Sequence, residues 1–234
     1  MSQAYGPNIV TEDLIMLVDP ANPKCYSGSG TAVKDLVRGQ VGTMNGSMTV
    51  DADKRFVFDG SNDYINMNKT YIGGDDIAFS DATHYTLEAW IYVHTSQGTT
   101  TSADSIVGNR SSYGVGMQVG ISNSNPRINF GARSTSNFYG SEFSYNQWYH
   151  VVWAKQDNSF TRVFMNGVLD TTSSITSYDV PSGQAYSNMS IGNSSGRVTG
   201  FYDGLMGPVA IYKRGLSDAE IIQNFNAHRG RFGV

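Results

Sequence analysis

By residue type, four glutamates are the side chains best suited to acid–base work on a polysaccharide: Glu12, Glu88, Glu142 and Glu220. Cleaving a glycosidic bond needs two carboxyl groups held roughly 5–10 Å apart across a cleft. None of the four has a second acid two or four residues away on a strand pattern. Glu220 has Asp218 nearby, but this pair follows Ser217, and together the three read as a capped helix start. Glu88 stands alone in the apolar run from Tyr85 to Val93 and is read as an acid on a sheet surface or edge. The spacing therefore points away from hydrolysis. His84, His94, His150 and His228 occur without a Ser or Cys in a nucleophile-and-base arrangement. His150 lies in an aromatic strand pattern and is read as a packed, hydrogen-bonded residue. No His/Cys spacing matches a zinc site.

Oxygen ligands for a hard cation are better represented. Asp59, Asn62 and Asp63 fall within five residues, and Asp75, Asp76 and Asp203 are further candidates. Ca²⁺ takes carboxylate and carbonyl oxygens of this kind. Tight-turn chemistry selects the same residues, so both readings of the Asp59–Asp63 string stand.

Aromatic residues make up 12% of the chain, 14 of them tyrosines. Tyr113, Phe138, Tyr139, Phe143, Tyr145 and Tyr149 crowd a middle region rich in Ser and Asn. Phe138-Tyr139-Gly140 is read as an exposed contact loop. Phe138, Tyr139, Tyr113 and Tyr145 are the candidates for touching a sugar or a partner.

Most of the framework around these residues is strand and turn. Leu14–Asp19, Arg55–Asp59, Asp63–Asn68, Ser105–Asn109, Tyr113–Ser122, Arg127–Ala132, Trp148–Gln156, Thr161–Met165, Met189–Gly192 and Gly200–Tyr212 carry strand patterns, separated by Gly, Asn and Pro breaks. In Tyr85–Val93, Leu87, Ala89, Ile91 and Val93 alternate with Glu88, Trp90 and Tyr92. Both faces are mostly apolar, which places this strand centrally in its sheet. Asn166-Gly167 predicts a type I′ hairpin turn. Pro208 inside a strand pattern predicts an edge or a bulge. Near the end, Ser217 caps a helix predicted to run to about Ala227.

The 234 residues are read as one domain from residue 14 to 234, preceded by a polar arm, residues 1–13. Charged residues are only 15% and net charge is −4, which excludes the basic face that nucleic acids require. No apolar run reaches the ~18 residues of a membrane helix. Cys25 is the single cysteine, so no intrachain disulfide is expected and folding in a reducing cytoplasm is. The opening residues show no signal-peptide pattern.

Several segments resemble laminin-G-like jelly rolls of the concanavalin-A-like superfamily, particularly those of marine tailed bacteriophages. They are Asp19 to Thr31, Phe56-Val57-Phe58-Asp59-Gly60-Ser61-Asn62-Asp63-Tyr64-Ile65, Tyr85 to Ile91, Gln147 to Trp153, Phe164 to Gly167, and Tyr212 to Ile221. The tail from Gln223 to Gly233 resembles phage members more narrowly. The acidic pair that such proteins carry before the last strand is replaced here by Pro208 to Ala210. The resemblance implies an all-β, two-sheet antiparallel jelly-roll sandwich with one short C-terminal helix. It also implies a fold in which loop-bound Ca²⁺ is common. The fold hosts lectins, adhesion modules, enzymes and capsid parts alike.

The expectation is a non-enzymatic virion protein that decorates a head, neck or tail. It would be made in the host cytoplasm, present in many copies at the particle surface, and able to adhere to host-surface glycans. A free-standing lectin is the alternative, and a glycan hydrolase or lyase a third. Its partners would be other virion subunits, with no nucleic acid and no membrane. Arg229, Arg231 and Phe232, read as a tail beyond the helix, are the expected assembly contact. Phe232 would be its apolar anchor.

Overall fold

The computed structural model describes residues 7–71, 84–94, 104–109, 115–122, 125–132, 137–156, 160–173, 188–193 and 200–234. Sixteen strands among them form two sheets. The first sheet contains β1 (Leu14–Val18), β4 (Thr49–Val50), β5 (Phe56–Asp59), β7 (Tyr85–Val93), β12 (Trp148–Gln156), β13 (Phe160–Met165), β14 (Val168–Ser173) and β16 (Asp203–Tyr212). The second contains β2 (Ala32–Lys34), β3 (Val41–Asn45), β6 (Tyr64–Asn66), β8 (Asp104–Gly108), β9 (Val115–Ser122), β10 (Asn125–Ala132), β11 (Asn137–Glu142) and β15 (Ser190–Ile191). Their spatial orders are β14-β13-β12-β7-β16-β5-β4, with β1 also on β16, and β11-β10-β9-β8-β15-β6-β3-β2. All pairings are antiparallel. This is the jelly-roll sandwich expected from the resemblance.

The main core lies between the sheets. Leu87, Ala89 and Ile91 of β7 meet Phe130, Ile128 and Met117 of the second sheet within one cluster that also holds Trp153. The opposite face of β7 is not solvated. Helix α1 (Asp218–Phe232) covers it, so Glu88 and Trp90 are as buried as their neighbours. That third layer explains why β7 reads as apolar on both faces, and its central place between β12 and β16 is as expected.

Local chemistry sets the joints. Asn166 and Gly167 have φ of 52° and 77°, the two positive values of a type I′ turn between β13 and β14. The β16–β7 register shifts between Met206 and Val209, so Pro208 sits at a bulge. There β16 also exchanges β5 for β1 as its second neighbour. Helix α1 opens with a full capping box between Ser217 and Glu220.

Two sequence expectations need correction. Phe138-Tyr139-Gly140 is not a loop but part of β11, the edge strand of the second sheet. The helix does not stop at Ala227 but runs to Phe232, with Gly233 at φ 70° closing it. Trp90 and Trp153 are fully buried, and Trp148 is half-buried.

Candidate functional site

The segment that feeds β12 carries the site. Asn146 adopts φ 57°, and its N–H donates to the Val93 carbonyl at 2.8 Å, which ties this turn to the end of β7. Trp148 then pairs with Tyr92 across the two strands. Their rings meet at 5.6 Å, and the Phe232 ring, brought by the last turn of α1, lies 4.4 Å from the indole. The Tyr149 hydroxyl accepts from Ser144 N–H at 3.1 Å and donates to Gln147 Oε1 at 3.3 Å. Asn166, at the β13–β14 turn, closes the far side; its Oδ1 accepts the His150 N–H at 2.9 Å.

These groups line a cleft of about 330 Å³, with Tyr92, Trp148, Tyr149 and Phe232 as apolar walls and Asn146, Gln147 and Asn166 as amides. A ligand here meets ring faces and uncharged donors and acceptors. Among the described residues, neither a nucleophilic side chain nor a pair of side-chain carboxylates lines it.

Beneath the cleft, the polar groups serve structure. Glu88 is 5% exposed and His150 fully buried; Glu88 Oε1 lies 3.0 Å from His150 Nε2. Asn224 of α1 donates to Glu88 Oε2 at 2.7 Å and to the Tyr212 hydroxyl at 2.9 Å, while its own Oδ1 accepts the Val10 N–H at 2.8 Å. Burial would raise the Glu88 pKa, but His150 and the Asn224 hydrogen bond together hold it below the usual range. Glu88 is therefore an interior acid under a helix, not the sheet-surface or edge acid expected.

A second polar group stands at the adjacent rim. His94 follows β7, its ring meets Tyr92 edge-on at 5.7 Å, and its Nδ1 lies 3.0 Å from Asp203 Oδ1. Asp104, from the opposite sheet, approaches Asp203. Burial first, and the Asp203 charge second, push the Asp104 carboxyl up to about 7. Spacing could not reveal this pair, because 99 residues of sequence separate its members (203 − 104).

The structure scatters the remaining candidates. Tyr113 lies outside the described residues. Tyr139 is 47% exposed on the β11 edge, and Phe138 is half-buried with its ring 6.4 Å from Phe130. Tyr145 is half-buried against the main core, one residue before the cleft-lining Asn146. Trp148, Tyr92 and Asn166 complete the cleft and were not singled out as contacts.

The Asp59–Asp63 turn is built on its own amides. Asp63 accepts Ser47 N–H at 2.7 Å and Asp59 N–H at 3.1 Å, and Asp59 Oδ1 accepts Ser61 N–H at 2.8 Å. Among the described residues, no group of three or more His, Cys, Asp or Glu side chains could hold a metal ion. These contacts are those of a tight turn.

The assembly residues are engaged within the chain. Phe232 is buried against Trp90 and Trp148 rather than projecting from a tail. Arg231 binds Asp19 at 2.8 Å and the Lys54 carbonyl at 2.7 Å. Arg229 reaches the Val234 carbonyl at 2.8 Å. The described part of the arm, residues 7–13, is likewise held by the helix: Gln223 donates to the Asn8 carbonyl at 2.8 Å, beside the Val10 contact. The expected anchor for a neighbouring subunit is thus part of this molecule's own third layer.

The architecture is shared with solved structures. It aligns with Trypanosoma rangeli sialidase in complex with sialic acid at TM-score 0.66 and 13% identity, over 97% of this chain but 35% of the sialidase. Domain 4 of an extracellular GH43 arabinanase from Geobacillus stearothermophilus, in complex with arabinotriose, aligns at 0.65 and 16%, over 92% of this chain and 98% of that domain. The receptor-binding domain of botulinum neurotoxin D aligns at 0.63 and 14%, over 92% and 52%. The chain thus spans about a third of the sialidase's length, and at these identities the likeness is one of fold. No curated protein sequence matches the chain. A family model does, over residues 59–222: the chain belongs to the concanavalin A-like lectin/glucanases superfamily, in its laminin G group.

Proposed function

We propose that this protein is a non-catalytic, glycan-binding β-sandwich that serves at the surface of a bacteriophage particle, in many copies, and adheres to host-surface glycans. One observation carries the sugar-binding half: the cleft sets the half-buried Trp148 beside Asn146, Gln147 and Asn166. Sugar rings present C–H faces that pack on an indole and hydroxyls that amides satisfy in both directions. The arabinotriose complex of the arabinanase domain supports the reading by analogy of fold. The non-catalytic half rests on Glu88, which is walled in by His150 and Asn224. The virion setting rests on the phage-like sequence segments.

A glycan array with the intact chain and with Trp148→Ala tests the sugar site. Binding that the substitution reduces at least tenfold is expected. Binding that survives it, or no binding to any glycan, overturns the reading. Mass spectrometry of purified particles tests the setting; detection only outside particles would favour a free-standing lectin.

A further inference from the structure

We infer that the cleft takes uncharged glycans and discriminates against those bearing carboxylate or sulfate groups; this rests on the sugar-binding reading above. A sugar anion that leaves water for a concave site loses hydration that only a charge-assisted donor restores well, usually an arginine fork. Among the described residues that line it, the cleft offers none. Tyr92, Asn146, Gln147, Trp148, Tyr149 and Asn166 supply rings, hydroxyls and amides but no cation.

The neighbouring cations are already answered. The Arg55 guanidinium stands 6.0 Å over the Trp148 ring, but its Nε lies 2.6 Å from Asp51 Oδ2 and its terminal nitrogen 2.8 Å from Asp53 Oδ2. One positive charge there faces two negative ones. Arg231, beside Phe232, is paired with Asp19. Arg229 is turned over the Phe225 ring at 5.1 Å and held by the Val234 carbonyl.

At the other end, beyond Tyr92, Asp203 lies against the His94 imidazole. Around Arg55 an incoming anion therefore meets more negative than positive charge. A neutral pyranose or furanose meets neither cost, because amides and phenols match its hydroxyls in number and kind.

The test uses the full chain and matched glycans that differ only in charge. Examples are lactose with 3′-sialyllactose, and neutral oligosaccharides with their sulfated or uronic acid counterparts, titrated at neutral pH and low ionic strength. Every bound glycan should be neutral, with its acidic counterpart at least tenfold weaker, about 1.4 kcal/mol. The gap should narrow as salt screens the flanking carboxylates. Gln147 is exposed, so Gln147→Lys places a cation at the mouth without disturbing the core. It should move the acidic-to-neutral affinity ratio at least fivefold toward acidic glycans. Acidic glycans that bind as tightly as neutral ones, through a site that Trp148→Ala abolishes, would overturn the charge inference and leave the sugar site standing. An unchanged ratio in Gln147→Lys would also overturn it. Failure of every glycan to bind would remove the sugar site itself, and the inference with it.

Discussion

Phe232 stacks on Trp90, ring centroids 4.4 Å apart and planes 19° from parallel. Phe225 takes a second place against the same indole at 5.8 Å and 10°. The stack joins the last turn of α1 to the centre of the first sheet, and its outer edge is a wall of the cleft. Stability and the site thus share a residue.

Phe232→Ala removes that contact. A truncated buried Phe costs about 3–5 kcal/mol; at a helix end that can relax, about 3 is expected. Gly207→Ala attacks the same stack from below, because a Cβ there would lie 2.4 Å from Phe232 Cζ and 3.1 Å from Trp90 Cβ. Both variants should lower the urea midpoint and weaken glycan binding together. Full stability in Phe232→Ala would show that the helix end is not held by this stack.

The β13–β14 turn gives an independent check. Gly167 has φ 77°, and a Cβ on it would approach the Phe225 ring at 3.1 Å. Gly167→Val combines a left-handed backbone with a β-branched residue and a crowded neighbour. It should cost on the order of 2–3 kcal/mol, read as a drop in melting temperature. An unchanged melting temperature would show that the turn can be rebuilt without its glycine.

Much of this fold is legible in local pattern. Tyr85–Val93 and Trp148–Gln156 have the bounds that their sequences predict, because both are central and densely apolar. β14 is implied only by the hairpin turn before it and has no pattern of its own; Val168 to Ser173 holds mostly exposed or half-buried residues on a sheet edge. The helix passes its predicted end at Ala227 with Gly230 inside it, and the left-handed closing glycine is Gly233. The cleft was not legible. It joins the end of β7, the entry to β12, the turn at Asn166 and the end of α1. Only the register between β7 and β12 and the reach of the helix bring them together.

Glu88 separates structural from catalytic use of an acid. Its folded pKa is lowered, so its contribution is present above its ordinary value of 4.5 and is lost as pH falls through the folded value. Glu88→Gln should destabilise by about 2 kcal/mol at pH 7, the range for a hydrogen bond to a charged group. The deficit should shrink in acid, and glycan binding at the cleft should stay intact. Urea denaturation at pH 7 and pH 4 reads the difference. Release of reducing ends from bacterial or algal polysaccharides, abolished by this substitution, would instead assign Glu88 to catalysis.

Asp104 has the opposite sign. Its carboxyl is raised from 3.8 to about 7, by burial first and by Asp203 second. Between those values the folded chain holds a proton that the unfolded chain has released, so this group's contribution to stability falls as pH rises through that window. Above pH 7 the folded state carries a partly buried charge next to Asp203. Asp104→Asn keeps the shape and removes the charge. Each pKa unit corresponds to about 1.4 kcal/mol; allowing for partial solvent screening, the variant should gain on the order of 2 kcal/mol at pH 8 and little at pH 4. Other carboxylates also titrate across this range, so the measured quantity is the stability difference between variant and parent at each pH. A difference that does not change between pH 4 and pH 8 would mean that Asp104 ionises normally and that Asp203 and its surroundings do not crowd it.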